Sequence, residues 1–433
     1  HVLVFGLIAA ALVWRVRIVC GSRFQELGRR FVLLLVALGL LLGLTLANYK
    51  HVSLWARAHR EVRMYVNPTY PMYALIRHLK AQSKAPRGPV TPIAMDAVRG
   101  PSVSGKPRMV VMVLGETARA ANFQLAGYAR ATNPELSPIE GVLSFTQMRS
   151  CGTATAVSVP CMFSRLGRAS YSRARAREEE NLLDVLQRIG VSVSWRDNNS
   201  DSKGVSLRVP TEDFRHRGVN GLCDQESCYD EVLLSGLEAI AAGGTGDHLV
   251  VLHLLGSHGP SYYKRYPPKF RKFVPDCARD DVQSCSQDSI VNAYDNTMLY
   301  TDHVLANVIE LLKRHQDRVE PVMVYLSDHG ESLGENGLYL HGLPYALAPD
   351  DQKHVPFVVW SPDTVRTCSE TSLRRDLSHD HLFHTMLGIF NVRSHEYHPE
   401  KDVLRECRSD KDKDRTNLAA AGPKSRSRPG FGA

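Results

Sequence analysis

Apolar residues fall into three zones along the chain. The chain is apolar from its first residue through Trp14, and again over FVLLLVALGLLLGLTLA, residues 31–47, a Leu-rich stretch without a charge. That second run is near the lower limit for a helix that crosses a bilayer, where roughly 20 residues are usual. The first has no initiator Met and reads as the continuation of a longer span. Between the two lie Arg15, Arg17, Arg23, Arg29 and Arg30 against one acid, Glu26. The positive-inside rule makes this a cytoplasmic loop and sends everything after Asn48 to the far side of the membrane. A cleaved signal peptide is the alternative for either run, but neither carries a cleavage site.

NPTYPMYALIRHLKAQSK, residues 67–84, is opened by prolines and reads as an amphipathic helix on the membrane surface. Residues 85–106 form a Pro/Gly/Ser-rich linker. From Pro107 short apolar runs (109–115, 191–195, 248–256 and 321–327) alternate with helical stretches. In NLLDVLQRIG, YDEVLLSGLEAIAA and SIVNAYDNTMLYTDHVLANVIELLKR the apolar residues recur every three or four positions. Runs buried on both faces, alternating with helices, predict an α/β domain with a parallel sheet sandwiched by helices. The expected division is a partial transmembrane region at 1–50, a surface helix and linker at 51–106, a large domain at 107–407, and a disordered, charged tail at 408–433.

Composition changes this picture in two places. The net charge of +8 suits anionic head groups, and with no basic face interleaved with aromatics, nucleic acid is not an expected partner. Eight of the nine cysteines lie beyond the second apolar run, and Cys20 alone lies in the cytoplasmic loop. An even number outside and one inside fits an oxidising exterior. Eight thiols allow many pairings; the short spacings favour Cys151 with Cys161, Cys223 with Cys228 and Cys277 with Cys285, which leaves Cys368 for Cys407. None of these pairs has the two-residue gap of a zinc knuckle.

The candidate chemistry sits just after the apolar runs. They end in Gly115-Glu116-Thr117, WRDNNSDSKG, GSHGP and SDHGES, and the carboxyl ends of parallel strands are where open sheets bind ligands. Glu116, Asp328 and His329 make a plausible zinc set with one position left for a catalytic group. CGTATAVSVPC, residues 151–161, is rich in hydroxyls and small residues that let a phosphate approach. A threonine there is a weak nucleophile until a divalent metal activates it. Blander readings stand beside these: a loop threonine that is structural, His329 as a helix cap, His258 and His341 as surface histidines, Lys203 as a solvated charge. His379, His381 and His384 in SHDHLFH have metal-like spacing but open an apolar helix, which favours a structural or capping role.

GETARAANFQLAGYARATNP, CGTATAVSVPCMFS, WRDNNSDSKGV, GSHGPSYYKRYP, VNAYDNT and SDHGESLGENGLYLHG, in this order between about residue 31 and 407, resemble the lipid A phosphoethanolamine transferases, which include the mobile colistin-resistance enzymes. The resemblance implies an alkaline-phosphatase-like periplasmic domain carried on five transmembrane helices, of which about two are present here, in the bacterial inner membrane. It implies a monomer that uses zinc to move phosphoethanolamine from phosphatidylethanolamine to a lipid A phosphate, giving polymyxin resistance. Carried over by residue, Glu116, Asp328 and His329 are zinc ligands, and Thr155 is the nucleophile and fourth ligand, with Thr153 to be tested against it. Asn199 and Lys203 match positions near the substrate phosphate. His258 and His341 match a pair that holds phosphate or a second zinc and protonates the leaving group, and Glu331 is a further substrate-contact candidate. The alternatives are a hydrolase of the same superfamily and a non-catalytic lipid-binding ectodomain. A sulfatase is disfavoured because Ser158-Val-Pro-Cys-Met lacks the arginine of the C/S-x-P-x-R signature.

Overall fold

Residues 22–408 are described by the structure, a computed structural model, apart from 68, 84–88, 103, 220, 226, 244, 281 and 363–367. The apolar run 1–14, Arg15, Arg17, Cys20 and the tail beyond residue 408 lie outside the described residues. The chain forms two compact units, residues 1–53 and 54–433.

In the first unit, helix α1 (Arg23–Ala47) is opened by Ser22, whose hydroxyl accepts the Gln25 N–H. Its segment Phe24–Ala47 is 24 residues long and apolar enough to cross a membrane; at about 1.5 Å per residue it reaches roughly 36 Å, longer than a ~30 Å hydrocarbon core. Arg29 and Arg30, expected in a loop, are therefore helical. The Ser22 cap and the Arg30–Glu26 pair one turn apart (3.0 Å) hold this polar first turn and a half in the helix. Helix α2 (Tyr49–Ala58) follows and runs across the boundary between the units; α3 (Thr69–Ser83) belongs to the second, and its Met72, Leu75, Ile76 and Leu79 form one exposed stripe at helical spacing.

Eight strands organise the larger unit: β1 (Arg108–Gly115), β2 (Val142–Arg149), β3 (Ser192–Asp197), β4 (Thr211–Asp213), β5 (His248–His253), β6 (Glu320–Ser327), β7 (His354–Trp360) and β8 (Leu377–Ser378). Their spatial order is β8-β2-β7-β6-β1-β5-β3-β4. The four strands that the unbroken apolar runs predict are adjacent and parallel, in the order β6-β1-β5-β3. The sheet as a whole is mixed, which corrects the expectation of a parallel one. β7 runs antiparallel to both β2 and β6. Pro356 inside β7 has no N–H to donate, and the β2–β7 register shifts between Val355 and Phe357 around it. That proline, and the half-polar VLSFTQMR of β2, hide both strands from a search for continuous apolar runs.

Helices α4 (Thr155–Met162), α5 (Leu182–Arg188), α6 (Leu237–Gly243), α7 (Gln287–Arg314) and α8 (Leu382–Ile389) complete the unit. Strand side chains alternate between two cores. Met109, Val111, Val113, Met323 and Tyr325 pack with Tyr294, Met298, Leu305, Val308 and Leu312 of α7. Val110, Met112, Leu114, Val322 and Val324 pack on the other face with Leu182 and Leu186 of α5 and Phe383 and Met386 of α8. Each such side chain stabilises by about 1.5–3 kcal/mol relative to exposure, which anchors the strands that carry the site on both faces. The stretch YDEVLLSGLEAIAA is not one helix: it splits into a tight turn, Asp230–Leu234, and α6, at Gly236 in the left-handed region (φ 73°).

The three disulfides that the spacings favour, Cys151–Cys161, Cys223–Cys228 and Cys277–Cys285, and the remaining pair, Cys368–Cys407, are all formed. The described part of the presumed linker, from residue 89, lies on the domain. Ile93 is buried, Val98–Arg99 pairs with Val392–Arg393, and the Arg188 guanidinium donates to the Ile93 and Ala94 carbonyls.

Candidate active site

Because β6, β1, β5 and β3 are parallel, the polar residues that follow them converge at one edge of the sheet. Glu116 follows β1, Asp328 and His329 follow β6, and all three are fully buried. One ligand atom from each lies within 4.8 Å of the others. Two glycines permit the crowding. A Cβ on Gly256, which has φ 53°, would stand 2.7 Å from the Glu116 carbonyl oxygen, and one on Gly330 would stand 2.0 Å from the Asp351 carbonyl oxygen.

Every group in this cluster is oriented. His329 Nδ1 lies 2.9 Å from the Gly330 carbonyl; a carbonyl only accepts, so Nδ1 carries a proton and Nε2 is the ring nitrogen turned to the cluster. Asp328 Oδ1 accepts from the backbone N–H groups of Thr117 (3.1 Å) and His329 (2.7 Å). Its Oδ2 is buried with no hydrogen-bond partner among the described residues. Glu116 accepts from the Thr117 hydroxyl at 2.6 Å and from Asn199 Nδ2 at 2.8 Å.

Thr155, the first residue of α4, brings its hydroxyl to 3.0 and 3.1 Å from the two Glu116 oxygens and 3.3 Å from His329 Nε2. The loop before it is pinned from three sides. The disulfide joins Cys151 to Cys161, the Ser158 hydroxyl donates to the Asp328 carbonyl, and the Cys151 N–H donates to His379 Nδ1 at 3.1 Å. His379 Nε2 in turn donates to the Ser327 carbonyl at 3.0 Å. His379 is thus a buried strut between the loop and β6, and His381 forms a capping box with Ser378. Thr153 is committed elsewhere: its hydroxyl donates to the Leu343 carbonyl at 2.6 Å.

Two histidines flank the cluster. The His341 ring lies 4.3 Å from that of His329, tilted by 45°, and 5.8 Å from that of His258, edge to face, centre to centre. His341 Nδ1 bonds Glu331 Oε1 at 3.1 Å, and the Tyr262 hydroxyl donates to Glu331 Oε2 at 3.0 Å. Glu331 is therefore buried behind His341. Lys203, in the left-handed region (φ 52°), bonds the Ser200 hydroxyl and lies 3.3 Å from Asp201.

Electrostatics in the cluster are unbalanced. Burial, and then the charge of Glu116, push the Asp328 carboxyl up to about 7. Burial alone would raise Glu116 as well, but the charges of His329 and His258 outweigh it and hold that group at about 2. Two buried carboxylates, one with an unpartnered oxygen, and an imidazole nitrogen on the same small space are the donor set of a divalent cation, and their mix of N and O atoms fits zinc.

Two residues that motif reading passed over stand just behind. Asp197 and His253 are register partners on β3 and β5. His253 Nδ1 lies 2.9 Å from Asp197 Oδ2, which also accepts from Trp195 Nε1 at 2.9 Å. His253 Nε2 is buried and unpartnered among the described residues. They are the last residues of β3 and β5, Asp197 two positions beyond the predicted run 191–195 and His253 inside the predicted run 248–256.

Two family profiles match the chain, "Sulfatase" over residues 108–392 and "Phosphoethanolamine transferase EptA/EptB" over residues 1–83. The phosphoethanolamine transferase EptA of Escherichia coli (strain K12) is 41% identical over 414 residues, covering 93% of this chain and 75% of that protein. The chain belongs to the phosphoethanolamine transferase family. Within it, the phosphatidylethanolamine transferase Mcr-1 of Escherichia coli is 42% identical over 399 residues, covering 89% of this chain and 73% of the relative. The integral membrane lipooligosaccharide phosphoethanolamine transferase A (EptA) from Neisseria meningitidis matches with a TM-score of 0.74 at 37% identity, covering 93% of this chain and 77% of that one. The fold is that of the alkaline phosphatase superfamily, with an apolar helix before it.

Proposed function

We propose that this chain is a zinc-dependent phosphoethanolamine transferase of the bacterial inner membrane. Its domain works in the periplasm, with phosphatidylethanolamine as donor and a phosphate of lipid A as acceptor. The observation that carries the reading is the Thr155 hydroxyl, held 3.0–3.3 Å from Glu116 and His329 where four parallel strands end. Membership of the family supports the reaction class.

Glu116, Asp328 and His329 would hold the ion, with Thr155 as fourth ligand. Bound there, zinc supplies Lewis-acid polarisation of the hydroxyl and phosphoryl oxygens and offsets the two buried carboxylates. The chain's own residues do the rest. Thr155 gives up its hydroxyl proton to water as Oγ forms a bond to the donor phosphorus and the bond from phosphorus to the glycerol oxygen breaks, and the diacylglycerol leaves with a proton. His341, oriented by Glu331, is placed to supply that proton through Nε2, with His258 beside it. Asn199 orients Glu116, and Lys203 offsets charge on the phosphoryl oxygens. A lipid A phosphate oxygen then bonds the phosphorus as the bond to Oγ breaks, which restores the Thr155 hydroxyl. Masking an anionic lipid A phosphate with an ammonium group weakens its attraction for cationic peptides, the basis for polymyxin resistance.

Peptide mass mapping after incubation with phosphatidylethanolamine should place the phosphoethanolamine adduct on Thr155. Thr155→Ala should abolish both the adduct and lipid A modification while zinc stays bound by the other three side chains. An adduct on Thr153 would overturn the assignment.

A further inference from the structure

Thr117 holds both carboxylates of the cluster from a single position. It follows Glu116 directly, is fully buried, and stands in the left-handed region at φ 59°. A β-branched residue seldom enters that region, and one that does is kept there by its surroundings. In this conformation the Thr117 N–H donates to Asp328 Oδ1 at 3.1 Å, and the hydroxyl turns back to donate to Glu116 Oε1 at 2.6 Å. One residue thus grips the carboxylates that follow two neighbouring strands, β1 and β6. The two groups lie within 4.8 Å of each other and repel when both are charged, so a donor shared between them opposes their turning apart.

The strained turn is locked from outside the cluster. The Tyr294 hydroxyl, on α7, donates to the Thr117 carbonyl at 2.8 Å and accepts the Arg119 N–H at 2.9 Å, so it bridges both ends of the turn. Between them the Ala118 N–H donates to Ser327 Oγ at 2.9 Å, and that hydroxyl donates to the His329 carbonyl at 3.1 Å. The loop after β1 and the loop after β6 are therefore interlocked. Tyr294 is itself fixed, being fully buried with the Tyr262 ring edge-on 5.4 Å away. Its hydroxyl bonds neither carboxylate, so what it does for them passes through the backbone of residues 117–119.

We propose that Thr117, locked in its strained conformation by Tyr294, is a positioning residue that sets Glu116 and Asp328 for a divalent cation. The inference rests on the metal part of the reading above and deepens it by naming what orients the ligands. Groups that orient metal ligands without touching the metal govern its affinity, because a ligand already in place loses no freedom on binding. Thr117 does this twice, with its side chain for Glu116 and with its backbone for Asp328. The left-handed turn is what lets one residue reach both.

The test reads zinc affinity of the full chain in detergent, by competition with a chelating dye, together with the melting temperature of the metal-free protein. Thr117→Val removes the hydroxyl and keeps the β-branched shape, and should weaken zinc binding by about 10- to 100-fold, the usual size for a group that orients a ligand. Thr117→Ser keeps a hydroxyl and should recover most of that loss. Tyr294→Phe should weaken zinc binding by about tenfold, at the lower end of the same range, although it removes no group that bonds a carboxylate. Unchanged zinc affinity in Thr117→Val with a lower metal-free melting temperature would make the residue purely structural and overturn the proposal, as would a Thr117→Ser chain no better than Thr117→Val. If Thr117→Val does not fold, Tyr294→Phe decides, and an affinity equal to the wild type's overturns the proposal. A wild type that binds no zinc would overturn the metal reading and this inference together. A wild type that binds zinc with the expected dependence on Thr117 but transfers no phosphoethanolamine would support this inference and remove the transferase reading.

Discussion

Asp328 shows how much of the site lies in single residues. Its Oδ1 accepts from two backbone N–H groups, its Oδ2 accepts no hydrogen bond among the described residues and lies 3.4 Å from His329 Nε2, and the buried carboxylate of Glu116 stands nearby. Such a group is costly unless a cation is bound. Asp328→Asn should therefore weaken zinc binding by about 100-fold or more, measured by competition with a chelating dye, while the metal-free variant melts no lower than the metal-free wild type. A lower apo melting temperature would mean that the carboxylate is structural. Glu116, Asp328 and His329 were legible in the sequence because each stands in a short motif beside an apolar run, whereas Thr155 was singled out from Thr153 only by the family resemblance. Asp197 and His253 were not, since 56 positions separate them and only the β3–β5 register makes them neighbours.

At the scale of elements, α7 is anchored to the loops around it by His303. This side chain lies 2.9 Å from Glu135 and 3.4 Å from Glu231, with Asn307 on its own helix and the Phe270 ring 4.8 Å away. The hydrogen bond to Glu231 raises the His303 pKa against the opposing effect of burial, and Glu135 raises it further. A histidine raised above its unfolded value contributes stability that is fully present below about pH 6.5 and is lost as pH rises through the folded value. Urea unfolding of wild type and His303→Gln should differ by about 1 kcal/mol at pH 6 and converge near pH 9. A constant difference across that range would assign the effect to packing against Phe270. Periodicity located α7 because its apolar spacing is continuous, and it missed β7 because Pro356 reads as a strand breaker. The neighbouring strands accommodate that proline through a register shift.

At the scale of the whole molecule, the groups that would do the chemistry come from residues 116–341, within the unit that begins at residue 54. A chain starting at residue 89, where the segment already packs on the domain, should fold, form its four disulfides and bind zinc with the affinity of the full chain. Its reaction with a soluble phosphoethanolamine donor should be near that of the full chain. Its modification of lipid A in vesicles should be lower by about 10²-fold or more, because the effective concentration conferred by a membrane anchor is lost. Equal vesicle rates for the two chains would show that the anchor contributes nothing to substrate capture.

The sequence by itself determined the apolar helix, the four parallel strands with their polar ends, the disulfide pairs and the grouping of Glu116, Asp328 and His329. Each is written in local pattern, as unbroken apolar runs, short cysteine spacings or small motifs. Only the tertiary structure decided that the sheet is mixed, that Thr153 bonds to Leu343 while Thr155 faces Glu116, and that Arg168 stacks over Tyr345. These depend on strand order, register and side-chain direction between segments far apart in the chain. Such contacts are selected by burial of the two cores as a whole, and no local pattern encodes them.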